Sequence, residues 1–207
     1  MTRRRTLVLT GLLAVAVVGG TPTAAPAGAA PAHTLELRPV LAEVPGPLVS
    51  RAPTAGEAAA IASCDPTRVQ ALTPVPVTSR ASITAAACAV LPFAPRQGRG
   101  ALYVGPSRLT ARDVKSARAA FAQGQGNTVI FDLTRKGLTK FNRLARDSYA
   151  QAAPRNEVAI TVDGAVVSNP VFESASFEGP VQISGNFSKK DAKAVAGKIN
   201  QARRSAG

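Results

Sequence analysis

Runs of apolar residues separated by turn-forming residues dominate the second half of the chain. Five of these runs are short and rich in strand-forming residues: 101–104, 128–133, 157–162, 165–172 and 181–184. Asp163-Gly164 separates the third run from the fourth. An Asp-Gly pair between two alternating runs is a strong signal for a two-residue hairpin turn. We therefore expect a hairpin whose turn residues are Asp163 and Gly164.

A helical period replaces the alternation after residue 134. Its apolar positions share one face and its basic positions share the opposite face: Leu138, Phe141, Ala145 and Tyr149 against Lys136, Lys140 and Arg143. A helix with this pattern packs its apolar face on a sheet and leaves its basic face in solvent. Pro154 marks the end of this predicted helix.

Two further helices are predicted from their start signals. Ser188 is followed by Asp191 at the third helical position and then by apolar residues spaced for one helical face: Ala192, Val195, Ala196 and Ile199. Thr110 and Asp113 form the same N-terminal pattern, which predicts a helix over 111–123. These strands and helices together predict an α+β fold, a two-layer sandwich in which helices pack on one side of a largely antiparallel sheet.

The first thirty residues differ from the rest of the chain. Three arginines precede an apolar run of about a dozen residues, and a stretch of small residues follows. This order is typical of a secretory signal peptide, and the run is shorter than the roughly 20 residues of a membrane-spanning helix. We expect residues 1–29 to be removed by cleavage after Ala29. The remaining chain is then expected outside the cytoplasmic membrane, secreted or in the cell envelope, without membrane insertion.

Charge divides the remaining chain in two. Residues 30–95 contain four Lys or Arg and four Asp or Glu, whereas residues 96–207 contain eighteen against eight. The neutral part is rich in Ala and Pro, and only 35–41 reads as a strand, ended or edged by Pro39. The basic part has the usual length of a domain. We therefore predict a boundary near residue 95 and expect 96–207 to fold without 30–95.

The chain has two cysteines, Cys64 and Cys88, both in the neutral part. An even number in an exported protein favours a disulfide, and closing this loop would contribute roughly 3 to 4 kcal/mol in the chain-entropy model. Two buried thiols are the alternative. A zinc site is disfavoured, because His33 is the one histidine and a structural zinc site needs four ligands.

Three segments of the basic part resemble, in the same order, the head of the first extracytoplasmic domain of SecD. Residues 102–106 with Leu109-Thr110 are similar to its YLLGP…LTG opening, 158–170 to its AIVLDGxVISAP segment, and 181–187 to its AQISGNF segment. Between the first two, Gly137-Leu138-Thr139-Lys140-Phe141 is similar to the family's Gly-x-x-Lys-Phe pattern. The chain is therefore identified as a stand-alone relative of the SecD head.

This resemblance implies a non-enzymatic binding module that contacts translocated or unfolded polypeptides outside the membrane. Its implied partners are secreted polypeptides or components of the secretion channel. Residues 96–207 contain no histidine and no nucleotide-binding fingerprint, which disfavours triad catalysis, most metal sites and phosphate-binding loops. We expect no catalytic residue, no metal and no cofactor.

The basic charge supports one alternative function. Lys136, Lys140 and Arg143, together with the basic residues of the last helix, would suit an envelope polyanion such as a cell-wall polymer or nucleic acid. A solvated basic face on an exported protein is the simpler interpretation. Few aromatic residues interleave with these charges, which disfavours a stacking platform for single strands.

Overall fold

The computed structural model describes residues 33–95 and 97–206. Within these residues the strands are β1 (Leu35–Val44), β2 (Leu48–Val49), β3 (Val75–Pro76), β4 (Ala89–Pro92), β5 (Ala101–Val104), β6 (Leu109–Thr110), β7 (Val114–Ala122), β8 (Gly126–Leu133), β9 (Val158–Val162), β10 (Ala165–Ser168) and β11 (Val181–Phe187). The helices are α1 (Ala55–Ala62), α2 (Pro66–Gln70), α3 (Arg135–Tyr149) and α4 (Lys189–Ser205). The expected signal peptide, residues 1–29, and the cleavage after Ala29 lie outside the described residues.

β1 lies inside a six-stranded antiparallel sheet. The strand order is β10-β9-β1-β5-β4, and β6 also pairs with β1. Residues 35–39 of β1 pair with β9, and residues 40–44 pair with β5. Pro39 falls where β1 changes partner, a position that suits a residue without a backbone N–H. The strand predicted over 35–41 is thus confirmed and continues to Val44.

The predicted boundary near residue 95 falls between two paired strands. β4 pairs with β5 along its whole length, and β1, which also precedes the boundary, lies between β5 and β9. The charge and length of residues 96–207 predict that they fold alone. The shared sheet predicts that they do not, because the fragment would lack β1, the strand that joins β5 to β9.

A smaller antiparallel sheet has the order β11-β8-β7. The prediction of a helix over 111–123 is wrong, because β7 occupies most of this segment. Thr110 and Asp113 do form the predicted reciprocal cap, but it opens a single 3-10 turn over Ala111–Asp113. β7 then pairs with β8 as far as Ala122 and buries Val114 and Ala117. Sheet pairing and core burial outweigh the helix propensity of this alanine-rich segment.

α3 and α4 share the largest hydrophobic core with both sheets. The apolar face predicted for α4 is buried: Ala192, Val195, Ala196 and Ile199. On α3, Phe141 and Ala145 are buried as predicted, whereas Tyr149, the last residue of the helix, is 48% exposed. Mixed helices and antiparallel sheets confirm the predicted α+β class. Across residues 33–95 and 97–206, no helix has the length and apolar composition that a bilayer crossing requires.

Cys64 and Cys88 form the predicted disulfide, with their Cα atoms 5.5 Å apart. Cys88 belongs to a second hydrophobic cluster together with Ile61 of α1 and Tyr103 of β5. The Tyr103 hydroxyl donates a hydrogen bond to the Ile61 carbonyl at 2.7 Å. The alanine- and proline-rich segment therefore shares a small core with β5, and the disulfide crosslinks this segment.

The strand predicted over 165–172 is shorter than expected, because β10 ends at Ser168. Asn169-Pro170 follows, and proline lacks the N–H that a ladder needs. Val171 keeps only an isolated bridge to Glu157. Residues 169–180 therefore form a loop between β10 and β11.

Candidate functional site

An apolar cleft of about 280 Å³ lies between the loop of residues 169–180, α3 and β9. Its lining residues include Phe141, Val158, Ile160, Val171, Phe172 and Phe177. The three phenylalanine rings lie 5.3 to 6.1 Å apart between centroids, and Phe141 meets the other two edge to face. Aromatic rings favour this geometry over face-to-face stacking. The ring cluster therefore gives the cleft a defined apolar wall.

Asn142 holds the middle of the loop against α3. Its side-chain nitrogen donates to the Phe177 carbonyl at 3.0 Å, and its side-chain oxygen accepts from the Phe177 N–H at 2.9 Å. The Asn142 side chain thus satisfies both backbone groups of Phe177, as a neighbouring strand would. Sequence reasoning missed Asn142, because its partner lies 35 positions away. The two phenylalanines of residues 169–180 were the signal in the sequence that this loop packs on the core.

The start of the loop is anchored beside β9. The Phe172 N–H donates to the Asn156 carbonyl at 2.9 Å, and the Asn169 amide donates to Glu157 at 2.8 Å. Burial raises the pKa of Glu157, the hydrogen bond from Asn169 opposes this shift, and Glu43 adds to it. These anchors bury Phe172 while the adjacent Val171 stays half exposed.

Val171 gives the cleft an exposed apolar rim. It is 50% exposed, and the other large hydrophobic residues so exposed in the described part of the chain are Phe121 and Tyr149. The cleft, at about 280 Å³, is slightly smaller than the roughly 300 to 1,000 Å³ of ligand pockets, a size that suits one or two apolar side chains. Among residues 33–95 and 97–206, no group of three His, Cys, Asp or Glu residues is placed to hold a metal.

Asp163 and Gly164 form the turn between β9 and β10, and both have positive φ, 55° and 78°. The Asp163 carboxylate has a second role that sequence reasoning missed, because it pairs with Lys198 and His33 at 3.0 Å and with Arg80 at 3.2 Å. Burial by itself raises the pKa of Asp163. The hydrogen bonds from Lys198 and His33 lower the pKa and together outweigh burial, so it lies below its usual value. The turn is therefore tied to α4 and to the start of the described chain.

The Gly-x-x-Lys-Phe motif docks α3 on the turn at residues 111–113. A Cβ atom on Gly137 would overlap the Asp113 carbonyl oxygen, so only glycine allows this approach. Lys140 pairs with the Asp113 carboxylate at 2.8 Å, and Phe141 reaches the cleft. The motif thus positions the cleft wall.

Lys136, Lys140 and Arg143 lie on the exposed side of α3. Lys140 is engaged with Asp113, so one of the three charges already has an internal partner. A polyanion contact by these residues stays a prediction. The cleft and this basic stripe are separate features of the same helix.

Comparison with known proteins gives a consistent result. The profile of the SecDF P1 head subdomain family matches residues 89–202, more than half of the chain. SecD from Streptomyces coelicolor is 30% identical over 107 residues, which are 50% of this chain and 19% of that protein. SecDF from Thermus thermophilus is 32% identical over 93 residues, 45% of this chain and 12% of that protein. The matched region is therefore about a fifth or less of these relatives.

Two solved structures are also similar. One, described as a membrane component SecDF that enhances protein export, aligns with 84% of this chain and 63% of its own, at 23% identity and a TM-score of 0.47. The other is SecDF in the super-membrane-facing form, aligned over 81% of this chain and 18% of its own, at 22% identity and a TM-score of 0.48.

Proposed function

Because the chain belongs to the SecDF P1 head subdomain family, we propose that it contacts exported polypeptides that are still unfolded, outside the cytoplasmic membrane. The apolar cleft with its exposed rim at Val171 is the observation that carries this proposal. Exported polypeptides and components of the secretion channel are the proposed partners. The proposed action is binding alone, without a catalytic step or a cofactor.

The cleft suits an unfolded chain because such a chain exposes the apolar side chains that a folded protein buries. Moving one leucine or phenylalanine side chain from water into an apolar site contributes about 1.5 to 3 kcal/mol. This amount is roughly a tenfold to hundredfold preference, so each contact stays reversible. A single small cleft therefore favours brief contacts with many chains over tight binding to one.

The relatives suggest the process in which this contact takes place. SecD and SecDF are named as protein translocase subunits, and the matched region is only a part of each. Our proposal takes from them the contact with exported chains and nothing else. The signal peptide expected at residues 1–29 would bring the protein to the outer side of the cytoplasmic membrane, where exported chains emerge.

The rim of the cleft provides a direct test. The probe is fluorescent, reduced and carboxymethylated α-lactalbumin, a permanently unfolded protein, and binding is followed by anisotropy. Val171→Asp should weaken binding about tenfold or more, because the carboxylate must lose water to enter an apolar cleft. Tyr149→Ser is the matched control, since Tyr149, at the end of α3, is exposed to a similar degree as Val171 but does not line the cleft. Equal binding by both variants would overturn the proposal.

Salt separates this contact from a purely electrostatic one. Raising NaCl from about 0.1 M to about 1 M shortens the Debye length from about 10 Å to about 3 Å. Binding through the apolar cleft should persist over this range. A steep loss of binding together with an unaffected Val171→Asp variant would point to the basic surface instead and would contradict the proposal.

A further inference from the structure

β7 is an edge strand that ends next to an exposed aromatic side chain. It pairs with β8 on one side and is the last strand of the three-stranded sheet. Phe121 of β7 is 75% exposed, the highest value for a large hydrophobic residue in the described part of the chain. An edge strand presents a row of backbone N–H and C=O groups that can pair with another extended chain.

Asn200 of α4 shows which backbone groups of β7 face outward. Its side-chain oxygen accepts from the Ala117 N–H at 3.0 Å, and its side-chain nitrogen donates to the Ala117 carbonyl at 2.8 Å. Both backbone groups of Ala117 therefore point away from β8. The pair Ala117 and Phe131 is then of the non-hydrogen-bonded type in the antiparallel ladder.

The same geometry recurs at every second residue of β7. The register continues without a shift through Ala119, opposite Val129, and Phe121, opposite Asn127, so the N–H and C=O groups of Ala119 and Phe121 also point outward. No hydrogen bond from residues 33–95 or 97–206 reaches these four groups. Asn200 thus covers the edge at Ala117, and the edge is uncovered from Ala119 to the hairpin.

We propose that an extended segment of an unfolded polypeptide adds to this edge of β7 as a further antiparallel strand, at Ala119 and Phe121. This proposal deepens the proposed function and rests on it, because it names where the backbone of the bound chain lies. Side chains alternate along β7, so Phe121 is on one face and the exposed Arg118 is on the other. A segment that alternates apolar and acidic residues would match both faces.

A second copy of this chain is a poorer occupant of the edge. Residues 30–207 contain 22 Lys or Arg against 12 Asp or Glu, and this excess of positive charge opposes the association of two copies. The same charge attracts a flexible acidic segment.

The first test leaves the protein unchanged. The probe is a labelled eight-residue peptide of alternating valine and glutamate, and its control has the same side chains with alternate backbone nitrogens methylated along one edge. Methylation removes the donors and blocks close approach on that edge, so the control should bind at least about tenfold more weakly in fluorescence anisotropy. On binding of the unmethylated peptide, amide exchange at Ala119 and Phe121 should slow. Equal binding of the two peptides would overturn the proposal.

The second test changes the protein. Ala119→Pro removes an outward N–H at a position where an edge strand tolerates proline, and Phe121→Ser removes the apolar neighbour. Each should weaken peptide binding several-fold. Tyr149→Ser should not change it, because Tyr149 is also an exposed aromatic residue but lies outside β7. If Ala119→Pro melts well below the parent protein, Phe121→Ser and the methylated peptide decide the question.

The outcome for the edge is distinguishable from the outcome for the cleft. If α-lactalbumin binding depends on Val171 while the two peptides bind equally, the edge proposal fails and the proposed function stands. If α-lactalbumin does not bind the parent protein at all, the proposed function fails, and the edge proposal fails with it.

Discussion

The six-stranded and the three-stranded sheet each contain one side chain whose exposure is unusual for its type. The six-stranded sheet buries a charged residue, Arg38, completely, whereas the three-stranded sheet exposes 75% of an aromatic residue, Phe121. Globular proteins usually bury aromatic residues and expose arginine. Arg38 has hydrogen-bond partners, and Phe121 lies beside edge groups that have none among the described residues. The unusual side chain of the first sheet is thus held by internal partners, whereas that of the second lies at an edge that the described residues leave uncovered.

Arg38 ties separate segments of the chain to β1. Its guanidinium donates to the carbonyls of Ala87, Thr84 and Gly105 at 2.7 to 3.0 Å, and to the Glu36 carboxylate at 2.9 Å. Hydrogen bonds that involve a charged donor are stronger than those between neutral groups. These four hydrogen bonds, one of them to a carboxylate, explain how a charge is accommodated in the interior.

The largest expected effect comes from removing β1 and β4. A fragment of residues 97–207 lacks β1 and β4, the two neighbours of β5 in the sheet. It should show no cooperative thermal transition by circular dichroism, whereas residues 30–207 should melt in one step. Cooperative melting of the fragment would show that the basic part is an independent domain, as its charge and length predict, and would remove the basis for assigning stability to the larger sheet.

Replacing Arg38 tests the buried side of the comparison within the intact chain. Arg38→Met should lower the free energy of unfolding by about 3 to 5 kcal/mol, since removing one partner of a buried ion pair leaves the others unsatisfied. The measurement is urea denaturation. Arg51→Met is the matched control, because Arg51 also pairs with a glutamate, Glu57, but is 45% exposed. Similar losses of unfolding free energy for both variants would show that the burial of Arg38 adds nothing to the effect of its ion pair.

Local signals along the sequence predict β1, β5, β8 to β11, α3 and α4, whereas β2, β3, β4, α1 and α2 were not predicted. The hairpin at Asp163-Gly164 and the cap of α4 at Ser188 depend on residues within a few positions of each other, and their prediction is correct. The cap at Thr110 is also present, but the segment after it is a strand because β8 and α4 lie beside it. That outcome depends on contacts up to 83 positions apart, such as Asn200 with Ala117. No local pattern contains this information.

The cleft shows the same limit. Its loop is fixed by Asn142 and by the ring of Phe141, which lie about 35 positions before Phe177. A family motif pointed to Phe141 without revealing what the ring contacts. The basic stripe on α3 was visible in the sequence, whereas the pairing of Lys140 with Asp113 was not. Spacing predicts which side chains share a face, and only the fold shows what that face meets.

A smaller effect is expected at the hairpin between β9 and β10. Gly164→Val should cost roughly 1 to 3 kcal/mol, because valine is strained at positive φ and its Cβ atom would lie 2.7 Å from Ile83 Cδ1. Gly124→Val is the control, since Gly124 also has positive φ but its Cβ atom would meet no neighbour within 4 Å. The difference between the two variants in urea denaturation measures the contact with Ile83. If Gly164→Val costs no more than Gly124→Val, that contact adds nothing to the strain of the turn.

The smallest expected effect is a pH dependence at Asp163, the carboxylate that joins this hairpin to α4. Its pKa is lower in the folded protein than its ordinary value of 3.8, so the folded state favours the ionised form. The resulting stabilisation is present above the unfolded pKa and is lost as the pH falls through the lower folded pKa.

Asp163→Asn keeps a residue that tolerates positive φ but removes the charge. The stability difference between parent and variant should therefore shrink as the pH is lowered from about 6 toward about 2. Lys198→Met should reduce this pH dependence, because the Lys198 hydrogen bond is the main cause that lowers the pKa. A difference that stays constant with pH would mean that the ion pairs at Asp163 do not contribute to stability. The hairpin would then be held by its turn geometry and its packing alone.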